Sequence, residues 1–267
     1  MRDVVAQARP DLLEAASELV GRDPFAAVDE GTAYQQPAIF CASLAHLEAL
    51  RDDDRPDCYA GHSLGEITAL VAAGALSEHD GLRFVTLRGR LMQQVDEGAR
   101  GAMVAIGASA EAARSLAERH GVTLAIDNAP RQVVLSGDAG SIARAQEDAR
   151  AQGLRTLLLP VRVAAHTPAL AVVAGQLRTL LNELEVRAPR RPCFSCVTAR
   201  ELDDVRMRLA QSLTRPVRWR EVLLALHARG VRRFVDVGPG RALGGLVRAT
   251  LEEAEIVSDR PLVAADA

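Results

Sequence analysis

The chain contains no lysine; all 32 of its basic residues are arginine. Its fixed cations are therefore guanidiniums, planar groups suited to forked contacts with carboxylate or phosphate. Excess charge of either sign is also lacking. The net charge of −3 gives no electrostatic reason to expect nucleic acid or an anionic membrane as partner. Cysteine is scarce: the four present are too few and too scattered for a disulfide framework. Cys193 and Cys196 form C-F-S-C, but no second C-x-x-C completes a zinc site. A buried strand of small residues is the expectation there, with no metal. No apolar run approaches the ~20 residues needed to span a bilayer. The opening "MRDVVAQARPDLLEAASELV" has acids in its first turns and no signal-peptide apolar core. A reduced, cytoplasmic protein with no membrane segment is expected.

What is present is a chain of 267 residues, 48% hydrophobic, enough for one large α/β domain or a domain with a smaller insert. Residues 10–20 have helical spacing, with Gly21 as C-cap, and "QQPAIFCASLAHLEALR" predicts a second helix with Pro37 in its first turn. "DCYA" reads as a short strand and "SLGEITALVAAGAL" as a buried helix; Ser77 caps the next, "EHDGLRFVTLRGRLMQQ". Residues 99–159 change character. Strand, helix, strand, turn, strand, helix, strand follow in turn, which is the β-α-β-β-α-β order of a ferredoxin-like unit. They read as a subdomain inserted into a core made of 1–98 and 160–267. Helices return after residue 166, followed by the strand "VRRFVDVG" and a closing helix. Strands separated by helices imply a parallel sheet covered on both faces.

Gly61-His62-Ser63-Leu64-Gly65 fits G-x-S-x-G. In that pattern a serine sits on a strained strand-to-helix turn, and the positions two before and two after must be small so that strand and helix can approach. The turn exposes Oγ and aims the Leu64 backbone N–H at a reacting carbonyl; the ordinary alternative is Ser63 as a helix N-cap. A nucleophilic serine needs a base. His62 adjoins Ser63, so its ring points away from Oγ. His46, His79, His120 and His227 lie on polar helix faces, where solvated histidines are expected. His166, in "LPVRVAAHTPAL", stands where the insert rejoins the core, a usual place for a cleft. It is the candidate base, taking the Oγ proton and returning it to a leaving thiolate. Its orienting partner stays open between Asp127, Asp138 and a backbone carbonyl. Arg88 and Arg90 are two apart and diverge by about 160° on a helix, so one faces inward. An inward Arg88 would select a substrate carboxylate.

These residues carry a resemblance. "AGHSLGEITALVAAGALS", "LRGRLMQ", "GAMVAIGA", "DNAPRQVVLSG", "AHTPAL", "SCVTAR", "RPVRW" and "FVDVGPGRALGGLVR" occur in order, and the chain resembles the malonyl-CoA:acyl-carrier-protein transacylases and the acyltransferase domains of polyketide synthases. The resemblance implies a hydrolase-like α/β core with the ferredoxin-like insert. It implies a ping-pong reaction in which Ser63 takes malonyl from malonyl-CoA and passes it to the phosphopantetheine thiol of acyl carrier protein. The CoA thioester is then a substrate, and no cofactor is bound. The family's carboxylate-binding arginine falls on Arg88 and its catalytic histidine on His166. The carbonyl that orients that histidine falls near Ser212, and a pocket asparagine falls on Asn128; His62 joins the pocket residues.

Two departures matter. The family usually has Phe before its histidine when malonyl is the substrate, whereas Ala165 stands here and leaves room for a branched unit such as methylmalonyl. Relatives also begin with an apolar strand ending in P-G-Q-G, whose glutamine helps build the oxyanion hole. That N-terminal strand is missing from this sequence, and Met1 is expected to be an internal methionine of a longer reading frame. Loss of one oxyanion donor typically costs 10²–10³ in rate. Besides malonyl transfer, the sequence therefore leaves open a branched-unit transferase, a serine thioesterase or hydrolase, and a truncated form that binds carrier protein with weak turnover.

Overall fold

The computed structural model describes residues 1–98 and 100–257. Two helices open the chain, α1 (Arg2–Ala8) and α2 (Pro10–Val20). Pro10 starts α2 where its missing N–H costs nothing, and Gly21 ends it in the left-handed conformation, φ +88°. Helix α3 (Thr32–Glu48) begins several residues before the sequence pattern suggests, so Pro37 lies inside the helix and not in its first turn. Strand β1 (Tyr59–Ala60) leads into α4 (Leu64–Ala72), then α5 (Glu78–Glu97). The Ser77 hydroxyl caps α5 by accepting from Asp80 N–H at 3.0 Å.

Four strands follow with two helices: β2 (Gly101–Ile106), α6 (Ala110–His120), β3 (Thr123–Ala129), β4 (Gln132–Asp138), α7 (Ala139–Ala151) and β5 (Thr156–Leu158). They form one antiparallel sheet in the order β3-β4-β2-β5, with a hydrophobic cluster of its own that includes Val104, Leu116, Leu135 and Ile142. The order of elements is the one the sequence pattern implies; the expected boundary at residue 99 lies outside the described residues. The sheet is stitched to the rest of the chain through β3. Asp127 N–H donates to the Val217 carbonyl, and Val217 N–H donates to the Ala125 carbonyl, both at 2.9 Å. Beside that seam the Asp127 carboxylate takes a forked contact from Arg220, at 2.8–3.1 Å.

The chain then runs through α8 (Ala171–Glu183), β6 (Cys193–Phe194), α9 (Val205–Gln211), α10 (Trp219–Ala228), β7 (Arg233–Val235), α11 (Ala242–Thr250) and β8 (Glu255–Val257). The sequence pattern continues the last helix to about residue 254; the chain instead leaves it at Leu251 for β8. Cys193 and Cys196 are buried free thiols, with Cys193 on a strand as expected. Parallel pairing is present, but as two separate pairs among the described residues: β1 with β6, and β7 with β8. A cavity of about 600 Å³ lies between them, lined by Tyr59, Gly61, Trp219, Phe234 and Val235 among others. One large cluster of buried side chains unites α2 to α5 with α8 to α11. Phe40, Leu70 and Phe84 are fully enclosed there, each contributing about 1.5–3 kcal/mol by burial.

Candidate active site

The turn between β1 and α4 is strained at its centre. Ser63 has φ +52° and ψ −107°. Among the described residues only two other non-glycine residues have positive φ, His166 at +60° and Ala199 at +56°. Such conformations cost of order 1–3 kcal/mol each and gather at functional sites. Gly61 makes the turn possible: a Cβ there would lie 1.9 Å from the Gly65 carbonyl carbon. The expected matching need at Gly65 is not found. A Cβ on Gly65 would meet nothing within 4 Å, and Gly65 is among the residues lining the 600 Å³ cavity. The Ser63 side chain makes no capping bond to α4, so it is not an ordinary N-cap. Leu64 is the first residue of α4, where backbone N–H groups have no intrahelical acceptor.

Two side chains meet Ser63 Oγ. His166 Nε2 lies 3.0 Å away, and Arg88 Nη2 donates to it, also at 3.0 Å. His166 Nδ1–H donates to the Ser212 carbonyl at 2.8 Å, which fixes the tautomer and leaves Nε2 as acceptor for the serine proton. Ser212 follows the last residue of α9, where helix carbonyls lack intrahelical donors. The carboxylates considered as orienting partners are engaged elsewhere: Asp127 with Arg220, and Asp138 as the cap of α7. Burial, then the charge of Arg88, then His62 hold His166 down to about 3, so the ring is neutral.

Arg88 faces inward, 3% exposed, and Arg90 faces outward. Burial lowers the Arg88 guanidinium to about 10, so it stays a cation at neutral pH. Among the described residues no carboxylate forms an ion pair with it; Nη1 donates to Gln36 Oε1 at 2.6 Å, and Nε has no partner. Gln36 is a site residue that sequence reasoning missed. Its signal was a glutamine at a buried position of an apolar helix, visible only once the inward face of α3 is known.

His62 turns away from Oγ, as expected. Its Nε2–H donates to Asn128 Oδ1 at 2.8 Å, and its ring meets Trp219 edge-on at 5.5 Å. Burial pulls His62 below its ordinary value. Ala165 precedes His166 and is buried in the main cluster. Of the four helix-face histidines only His79 is exposed. His46 bonds the Val237 carbonyl, His120 pairs with Asp148 and His227 Nε2 is buried, so the expectation of solvated rings fails for three of them. They sit at helix ends that pack on neighbouring elements. The 600 Å³ cavity is lined by none of Ser63, Arg88 and His166.

A serine on a strained strand-to-helix turn, with a neutral histidine at its hydroxyl and an α/β scaffold behind it, defines a class of proteins that handle acyl groups. The acyl transferase domain family matches residues 9–265, and the chain belongs to that family. It is 38% identical over 224 residues to the malonyl CoA-acyl carrier protein transacylase of Bacillus subtilis, covering 80% of this chain and 71% of that protein. It is 34% identical to the polyketide biosynthesis protein ThaF of Burkholderia thailandensis over 91% of this chain, but spans only 22% of that protein's length. Among solved structures it is similar to the malonyl-transacylase PlMCAT, determined with AntF, a type II polyketide synthase acyl-carrier protein. That likeness has a TM-score of 0.86 and 32% identity, covering 96% of this chain and 90% of the neighbour.

Proposed function

We propose that this protein transfers a malonyl group from malonyl-CoA to the phosphopantetheine thiol of an acyl carrier protein, through an acyl group on Ser63. The observation that carries this reading is the sharing of Ser63 Oγ by a neutral histidine and an unpaired buried guanidinium, each at 3.0 Å. Oγ attacks the thioester carbonyl while its proton passes to His166 Nε2. The Leu64 N–H receives the charge that develops on the carbonyl oxygen. As the tetrahedral intermediate collapses, the C–S bond breaks and His166 returns the proton to the CoA thiolate. The carrier thiol reverses these steps: it gives its proton to His166, attacks the acyl-serine, and Oγ is reprotonated as it leaves. Ser212 holds the ring through its carbonyl, so no carboxylate is needed. Arg88, steadied by Gln36, receives the malonyl carboxylate in a forked contact. Asn128, His62 and Ala165 shape the surroundings of that acyl group. Among the described residues, 100–159 serve as an inserted subdomain, with 1–98 and 160–257 as the core.

The experiment is transfer itself. Malonyl-CoA, holo acyl carrier protein and catalytic protein are mixed, and the carrier's mass is followed. A malonyl increment on the carrier that needs the protein supports the reading; release of free malonate with no carrier adduct makes it a hydrolase instead.

A further inference from the structure

Beneath the Ser63 turn lies a buried pair that the chemistry above does not use. Glu66 is in the first turn of α4 and has 0% exposure. Its Oε2 accepts the Cys196 backbone N–H at 3.1 Å and the Cys196 thiol at 2.7 Å, while Oε1 has no partner. Cys196 is itself fully buried. The thiol and the main-chain N–H of Cys196 thus both donate to a residue in the first turn of α4, the helix that starts directly after Ser63. Burying a carboxyl group with one oxygen unpartnered is costly, which points to placement and not stability alone as the role of the contact.

The same cysteine reaches the other half of the site. Its carbonyl accepts from Arg218 N–H at 2.7 Å, and the Arg218 guanidinium donates to the Thr198 carbonyl at 3.1 Å. Arg218 closes the segment that starts at Ser212, the residue whose carbonyl holds His166. The loop after β6 therefore touches both the turn carrying the nucleophile and the segment carrying the base's anchor.

We propose that Glu66 and Cys196 are positioning residues for acyl transfer: the Glu66 carboxyl holds the Cys196 thiol and N–H against the first turn of α4, directly after Ser63, and the Cys196 main chain ties that turn to the segment orienting His166. The inference rests on Ser63 being the nucleophile, and it goes beyond the assigned site by naming what sets the geometry between Ser63 and His166. Burial raises both Glu66 and Cys196 above their ordinary values. The thiol therefore stays protonated and acts as a hydrogen-bond donor, with no nucleophilic role of its own.

The test uses the whole chain and two readouts. One is the rate at which a fluorophosphonate labels Ser63, which reports the reactivity of the turn whatever the acyl donor. The other is kcat and KM with malonyl-CoA and holo carrier protein. Cys196→Ala keeps the volume nearly filled but removes the thiol; labelling and kcat are expected to fall about tenfold or more, since small displacements of reacting groups cost that much. KM for malonyl-CoA should stay within about twofold, because Arg88 and Gln36 are untouched. Cys196→Ser restores the donor to Glu66 and should recover most of the rate. Glu66→Gln, which keeps an acceptor oxygen, should label faster than Glu66→Leu. Thermal midpoints show whether each variant is folded. Labelling of Cys196→Ala at the parent rate, or equal losses in the Ala and Ser variants, overturns the proposal. If the parent protein is labelled yet takes no malonyl from malonyl-CoA, the assigned acyl donor is wrong, and the labelling series still decides this proposal.

Discussion

Arg88 Nη2 donates to Ser63 Oγ across 3.0 Å, while among the described residues the rest of the guanidinium hydrogen-bonds only Gln36. A buried cation with neutral partners alone is costly for stability, and the arrangement makes sense as a receptor for an anion presented beside the nucleophile. A malonyl carboxylate supplies that anion; an acetyl group does not.

Arg88→Ala should therefore lower malonyl loading from malonyl-CoA by roughly 30-fold or more, as losing one side of a buried charge contact costs about 2–5 kcal/mol. Acetyl loading should change far less. Stopped-time mass measurements on both donors check this, and equal losses would remove the carboxylate role.

Gln36→Leu should act more mildly and in the same direction. The guanidinium loses its 2.6 Å acceptor but keeps its charge, so KM for malonyl-CoA is expected to rise about tenfold with a smaller change in kcat. Steady-state kinetics at varied malonyl-CoA decide it.

The pH dependence follows from His166, held near 3 and not at its ordinary 6.5 by burial first and Arg88 second. In the proposed mechanism the neutral ring accepts the serine proton, so loading should stay level from pH 8 down to about 5, with its acid limb near pH 3. Removing Arg88 lifts one depressing cause, so the limb should move to higher pH in Arg88→Ala. Stability follows the same shift. The unfolded chain protonates this histidine at about 6.5 and the folded one only near 3. Its contribution is fully present above 6.5 and is lost as pH falls through that window, by about 1.4 kcal/mol per unit. Denaturant titrations of the parent and of His166→Ala at pH 7 and pH 5 measure it.

The two glycines of the turn should behave oppositely. Gly61→Ala puts a Cβ 1.9 Å from backbone, which no side-chain motion relieves, so phosphonate labelling should be lost and the thermal midpoint lowered. Gly65→Ala meets nothing within 4 Å and should keep a folded protein with a midpoint near that of the parent.

Much of this site was legible because its parts lie in local patterns. G-x-S-x-G names its own strand-to-helix turn, and His166 stands out by its place at a junction. The two-residue spacing of Arg88 and Arg90 forces one of them inward. What the residue pattern left open depends on packing between distant segments. The anchor of His166 is the carbonyl of Ser212, and a backbone carbonyl leaves no residue-type signal; only the family resemblance pointed near it. Cys196 reads as part of a buried strand, and Gln36 as one more residue of a predicted helix, until α3 and the loop after β6 are set against α4 and α5. The parallel strands were legible, but their division into β1–β6 and β7–β8 is a matter of which edges meet, and strands of two or three residues carry little pattern to say so.

The central claim is an acyl group carried on Ser63 oxygen, and intact-mass measurement after brief exposure to malonyl-CoA tests it most directly. The account predicts a single malonyl adduct, mapped to Ser63, absent in Ser63→Ala and discharged when holo acyl carrier protein is added. A malonyl adduct that persists in Ser63→Ala, or carrier protein malonylated by that variant at the parent rate, would contradict it.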